Sequence, residues 1–325
     1  MRHLVFILIF CAAPLSAGLW KVGTEGDGSN IIAVLSDGAL TISGTGAMKD
    51  FDFASPPWAD IRNLIRTVTI DYGVTTIGNS AFYGCYNLTE VSIANSVTTI
   101  GEWAFTDCSS ITELYIPNSV TDIRDFAFSG CTSLVRINIP NSVTNVGSSA
   151  FSNCFSLTEV TIPNSLTAIR FLAFYNSRSL RKIYIPNSVT AIRDHAFEGS
   201  TNLTEITIGN SVATIGNWSF ANCTSLSRLI IPNSVRSIGI SAFSWCKSLT
   251  EITIGYSVET IRDYAFAGSI SLTKIYNYAT TPQPIEANVF HGVDTRNIVL
   301  YVPANSKVAY KAHDVWGRFI VVAKK

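Results

Sequence analysis

Six cysteines, Cys85, Cys108, Cys131, Cys154, Cys223 and Cys246, stand at whole multiples of 23 residues from one another. Thiols can pair, ligate a metal or attack an electrophile. Zinc sites need clustered Cys and His, and a 23-residue spacing does not cluster them. Disulfides joining 85 to 108, 131 to 154 and 223 to 246 need side chains that face each other. Members of one repeat column point the same way, so free buried thiols are the favoured reading. Ser177, Ser200 and Ser269 fill the same column, which fits a small buried side chain. His195 beside Asp194 could be a general base with an orienting carboxylate. Its column otherwise holds Ser, Trp, Phe, Leu and Tyr, so His195 reads as a repeat variant and Asp194 as a cap. Gly44-Thr45-Gly46 lacks the third glycine and the following amphipathic helix of a phosphate loop. The chain is therefore expected to be no enzyme, with no catalytic residue, no metal and no cofactor.

Every one of these candidates falls in step with a repeat, and the repeat is what must position them. Phe recurs at 82, 105, 128, 151, 174, 197, 220, 243 and 266, always 23 residues on. A second column reads Val68, Val91, Leu114, Ile137, Val160, Ile183, Ile206, Leu229, Ile252 and Ile275, usually with another aliphatic two residues later. Leu-x-x-Ile-x-Ile alternates with period two and is rich in β-branched types, which predicts a short strand with one buried face. Pro117, Pro140, Pro163, Pro186 and Pro232 lack the amide that would prolong it. Asn95, Asn118, Asn141, Asn164, Asn187, Asn210 and Asn233 follow and should stack into a hydrogen-bonded column. Val-Thr-x-Ile then returns two apolar side chains inward. Asp125, Asp194, Asn217 and Asp263 are placed to cap a single helical turn carrying Ala-Phe. Gly or Asn at 84, 130, 153, 176, 199, 222 and 268 supplies a left-handed stop. One such unit cannot bury its own apolar edges, so copies must stack.

The units Ile-Pro-Asn-Ser-Val-Thr-x-Ile-Arg-Asp-x-Ala-Phe resemble those of BspA-like, or type 5, leucine-rich-repeat proteins. The opening Leu-Thr-Ile-Ser-Gly-Thr-Gly-Ala-Met with a later Pro-Trp, and the closing Leu-Tyr-Val-Pro with Tyr310 and Trp316, share the likeness. The resemblance implies an α/β solenoid: a right-handed, curved superhelix with a parallel β-sheet on one face and short helical turns or loops on the other. It also implies a surface or secreted protein of the kind associated with adhesion, with no shared catalytic residues. The expected division is an export signal over 1–17, an N-terminal cap over 18–64, repeats over 65–275 and a C-terminal cap over 276–325. Arg2 and His3, the apolar run from Leu4 to Ala13, and Ser16-Ala17 carry the export reading. Phe10 before Cys11 argues against a lipoprotein cleavage site.

With 47% apolar and 14% charged residues the chain can bury a core. Lys plus Arg and Asp plus Glu balance at 23 each, which gives nucleic acid no electrostatic footprint. No run is long enough for a membrane helix. Two outward strand columns remain for function. Glu90, Glu113, Arg136, Glu159, Lys182, Glu205, Arg228, Glu251 and Lys274 form one, readable as a self-neutralising ladder or as ligand contacts. Tyr115, Tyr184 and Tyr276 belong to the other, readable as binding contacts or as good strand formers. The partner expected is an extracellular or cell-surface macromolecule, a host matrix protein, a microbial surface protein or a glycan, met by a monomeric, secreted or surface-held chain. A structural envelope spacer is the alternative.

Overall fold

In the computed structural model, residues 18–53 and 55–324 are described; the expected export segment 1–17 lies outside them. The chain winds as a parallel β-solenoid of about 11 turns with little helix. Each 23-residue coil contributes two short strands, such as Glu113–Tyr115 and Asp122–Ile123, on either side of a Pro-Asn-Ser turn. The first member of each pair is the one that the Leu-x-x-Ile-x-Ile pattern predicts. Its register is the repeat itself: Arg136 lies opposite Glu113 on one side and Glu159 on the other. The second member builds a second parallel ladder, with Thr99, Asp122 and Asn145 in one row and Ala168, Ala191, Thr214, Ser237 and Thr260 in another. Two residues are too few to show a period of two, so this ladder is a structural finding.

Between the ladders runs the core. Phe82, Phe105, Phe128, Phe151, Phe174, Phe197, Phe220, Phe243 and Phe266 are all buried and stack ring on ring. Successive centroids lie 5.0 to 5.8 Å apart and most planes are within ten degrees of parallel. Backbone pitch sets that spacing, because Phe105 N donates to Ala127 O and Phe128 N to Ala150 O, one coil onward. The Ala-Phe segment is therefore a run of tight turns, closed by bonds such as Thr106 N to Trp103 O and Cys108 N to Phe105 O and bonded through alternate amides to the next coil, where a helical turn was expected. Its expected caps change role accordingly. Asp125 Oδ1 accepts from Ser148 N at 2.7 Å, Asp194 Oδ1 from Asn217 N at 2.8 Å and Asn217 Oδ1 from Ile240 N at 2.7 Å. These side chains tie each coil to the next, while Asp263 faces solvent. The expected Asn column forms at three steps, through Asn141, Asn187 and Asn233.

The ends break the pattern in order to stop it. Gly18–Lys21, Ile31–Ser36 and Ala39–Gly44 form an antiparallel meander whose last strand runs parallel to Thr67–Ile70. Trp58 lies flat on Phe82 at 5.9 Å and its Nε1 donates to Ala81 O. At the far end, Val299–Pro303 and Ile320–Lys324 extend the first ladder. Phe290 continues the Phe column, and Trp316 and Phe319 meet it edge-on at 5.7 and 5.1 Å. Tyr310, Trp316 and Phe319 are buried there, which caps the stack with aromatic surface.

Candidate functional site

Side chains on alternate positions of the first strand face outward, so the coil register converts sequence columns into surface rows. Glu113, Arg136 and Glu159 are brought side by side in one ladder segment, Lys182 and Glu205 in the next, and Arg228 and Glu251 in a third. Lys182 Nζ reaches Glu205 at 2.7 Å and Arg228 reaches Glu251 at 2.8 Å. Such exposed pairs contribute only about 0.2–1 kcal/mol, and their main effect is to avoid stacked like charges. Between the strands of Arg136, Glu159 and Lys182 lies a shallow hollow of about 600 Å³, with Thr158 and Arg181 on its wall.

The tyrosine row separates into two kinds. Tyr115 and Tyr184 are 65% and 57% exposed, and Ile230 is 50% exposed in the same row. Tyr276, expected to stand free like them, is half-buried: Tyr301 of the terminal coil stacks on it at 4.8 Å and the Lys324 ammonium lies 5.3 Å above its ring. The reason is register, since Tyr276 pairs with Tyr301 in the added terminal strand.

All six described cysteines are free and buried. Cys108, Cys131 and Cys154 donate their thiols to the Phe82, Phe105 and Phe128 carbonyls at 3.2 to 3.4 Å. Burial pushes the Cys154 and Cys246 thiols up to about 12. Thiols so protonated are poor nucleophiles. Ser177, Ser200 and Ser269 share the position but leave their hydroxyls unpartnered. His195 is bonded through Nδ1 to Glu198, with Phe171 edge-on at 5.6 Å and Trp218 stacked at 6.2 Å. Among the described residues no group of three or more His, Cys, Asp or Glu could hold a metal ion, and no helix is long and apolar enough to cross a membrane.

One feature escaped the sequence. Ser80, Trp103, Phe126, Ser149, Leu172, His195, Trp218, Ser241 and Tyr264 all adopt φ between 53° and 60°, the left-handed region that large side chains avoid. The predicted left-handed stops lie four residues on, at Gly84, Gly130, Asn153, Asn176, Gly199, Asn222 and Gly268. At the earlier position the backbone is imposed by the coil and the side chain is free to vary. Its aromatic members line one edge of the solenoid, where Trp103 stacks on Phe126 at 3.9 Å. The variability of that column, set against the constancy of the Phe column, was the available signal.

Parallel coils of about 23 residues, sealed at both ends and showing a strand face to solvent, define a leucine-rich-repeat solenoid. Residues 62–181 and 167–296 match the BspA type leucine rich repeat region in 6 copies, and the chain belongs to that family. It is similar to a leucine-rich repeat protein from Bacteroides ovatus ATCC 8483, with 20% identity over 95% of this chain and 98% of that one and a TM-score of 0.61. A leucine rich cell surface protein from Faecalibacterium prausnitzii A2-165 is similar at 26% identity over 90% and 92% of the two chains, with a TM-score of 0.51. A search of the curated proteins finds no match.

Proposed function

We propose that this is a non-enzymatic interaction protein, secreted or held at a cell surface, that captures an extracellular macromolecule on the exposed face of its first ladder. The observation that carries the reading is the exposure of Tyr115 and Tyr184 on strands paired to a neighbouring coil, Asn138 beside Tyr115 and Thr207 beside Tyr184. Exposed tyrosines cost hydration and lose little entropy on contact, which suits them to binding hot spots. Arg136 and Glu159 lie on the coils between them, Lys182 shares the strand of Tyr184, and the three give the same face a polar contact set. The similar cell-surface protein of Faecalibacterium prausnitzii supports a surface location.

The test is capture of immobilised extracellular-matrix proteins and bacterial surface proteins by the purified chain. Replacing both Tyr115 and Tyr184 with Ser is expected to weaken capture by about 2 kcal/mol or more per tyrosine, with circular dichroism unchanged. Full retention of capture would remove the tyrosine face from consideration. Capture of no foreign protein, with the chain retained in its own envelope, would favour the spacer role instead.

A further inference from the structure

The second ladder is not continuous. At most steps an amide bonds the preceding coil: Gly147 N reaches Ile123 O at 2.8 Å, Arg193 N reaches Ile169 O at 2.9 Å and Gly216 N reaches Ile192 O at 2.8 Å. Thr144 N bonds Thr121 O, and Thr190 N bonds Thr167 O, in the same way. Among the described residues, neither Arg170 N to Val146 O nor Thr167 N to Thr144 O is made, and strands Asn145–Val146 and Ala168–Ile169 lie in separate sheets. A cleft of about 570 Å³ occupies the opening. Two amide donors and two carbonyl acceptors thus face a solvent-open gap, where a ligand's polar groups can take the place of water.

Around the gap, small and apolar residues replace polar ones of the repeat. Where neighbouring coils carry Thr99, Asp122, Asn145, Thr214 and Ser237, these two carry Ala168 and Ala191. Two residues on, and on the same face, they carry Arg170 and Arg193 on adjacent coils, at a position that Arg124 and Arg262 share and that Gly101, Gly147, Gly216 and Gly239 fill elsewhere. Arg124 is the informative neighbour. Its guanidinium is paired at 3.3 Å with Asp122, two residues before it. Arg170 and Arg193 have alanine at that place, and among the described residues no carboxylate pairs with either. Asp194, beside them, spends both carboxylate oxygens on Asn217. Two like charges in one row of adjacent strands repel unless an anion sits between them. Phe171, 46% exposed, stands where other coils carry the Asp or Asn that bonds the next coil, and supplies an apolar wall.

We infer that this cleft is a binding site for an acidic saccharide, whose carboxylate or sulfate takes the place that Asp122 fills beside Arg124. Paired guanidinium groups suit a bidentate oxyanion. The open amides and carbonyls match ring hydroxyls, which both donate and accept. The aliphatic face of a pyranose fits the exposed Phe171 ring, and the cleft volume falls in the range of small-ligand sites. This site lies across the Pro-Asn-Ser turn from the tyrosine face and stands or falls separately from it.

Hyaluronan octasaccharides, heparin octasaccharides, neutral chitin oligosaccharides and inorganic sulfate serve as probes, read by calorimetry on the full chain. One or both acidic saccharides are expected to bind, and the pair separates carboxylate from sulfate recognition. Loss of each guanidinium is worth about tenfold or more, so Arg170→Ala with Arg193→Ala should abolish measurable binding. Ala168→Asp with Ala191→Asp supplies internal counter-ions and should compete the saccharide away while leaving both arginines in place. Tyr115→Ser with Tyr184→Ser should bind saccharide as the parent does. Each variant is checked by its melting curve. Binding of neither acidic saccharide, equal binding of the neutral one, binding of sulfate alone, or affinity unchanged in the double arginine variant would overturn the site.

Discussion

The Phe column and the left-handed column lie two residues apart on the same turn, yet they obey opposite rules. At the first, one residue type persists through nine coils while nothing about its backbone is unusual. At the second, Ser, Trp, Phe, Leu, His and Tyr interchange while φ stays between 53° and 60°. A position whose side chain is packed on all sides dictates the residue and lets the backbone relax. Where hydrogen bonds to both neighbouring coils dictate the backbone instead, the residue drifts. Functional variety in such a solenoid is therefore expected at backbone-dictated positions and on the outward strand rows.

The most severe way to break the comparison is to remove a packed ring. Phe151→Ala leaves a cavity between Phe128 and Phe174, stacked at 5.4 and 5.6 Å, and is expected to cost about 3–5 kcal/mol. Each coil is stabilised through its neighbours, so the loss should appear as a lower melting temperature for the whole array, with no separate transition. Replacing His195 or Trp218 with Ser, residues found in the same left-handed column, should cost far less. Equal losses at the two columns would erase the distinction.

The thiol column gives a weaker break with a definite pH signature. Cys154 has its pKa raised from 9.0 to about 12 by burial, so the folded state keeps the proton that the unfolded chain gives up. Stability from this source is complete below pH 9 and is lost as pH rises from 9.0 toward about 12. The loss is on the order of 1 kcal/mol per thiol by pH 10. Cys154→Ser, which copies Ser177, should show less alkaline destabilisation than the parent in paired denaturant titrations at pH 7 and pH 10. Identical alkaline losses would mean that the buried thiol does not carry the effect.

What the sequence made legible follows the same division. The Phe, Cys and aliphatic columns, the strand they predict and the glycine or asparagine stops are properties of side chains, and a 23-residue period displays them directly. Three things were hidden. The second ladder rests mostly on two-residue strands held by backbone bonds. The left-handed turn is held by Trp, Phe, Leu, His and Tyr, types that local preference argues against. Tyr276 looked like Tyr115 in its column, and only the pairing of its strand with Val299–Pro303 shows that Tyr301 covers it. Of the four Asp and Asn expected to be helix caps, Asp125, Asp194 and Asn217 do accept from backbone amides, but the donors lie a full coil away, and Asp263 faces solvent. The saccharide cleft is the sharpest case. Its arginines and alanines are plain in the sequence, but an unmade hydrogen bond leaves no trace there.

The smallest effect probes the left-handed column from the stabilising side. Ser149 is buried with φ 56°, and its hydroxyl finds no partner. Glycine in that place relieves the steric cost of the left-handed backbone, about 1–2 kcal/mol, and removes an unsatisfied polar atom. Against this stands the extra freedom that glycine adds to the unfolded chain, about 0.4–1 kcal/mol. Ser149→Gly is accordingly expected to raise stability by about 0.5–1 kcal/mol, read as a higher denaturant midpoint at unchanged slope. The same change at Ser152, three residues on, relieves no strain: Ser152 does not have a positive φ and its Oγ bonds Ser129 Oγ at 2.8 Å. That variant should be destabilised. A loss of stability in both would show that the coil does not impose the left-handed turn at all, and that serine at 149 helps to form it.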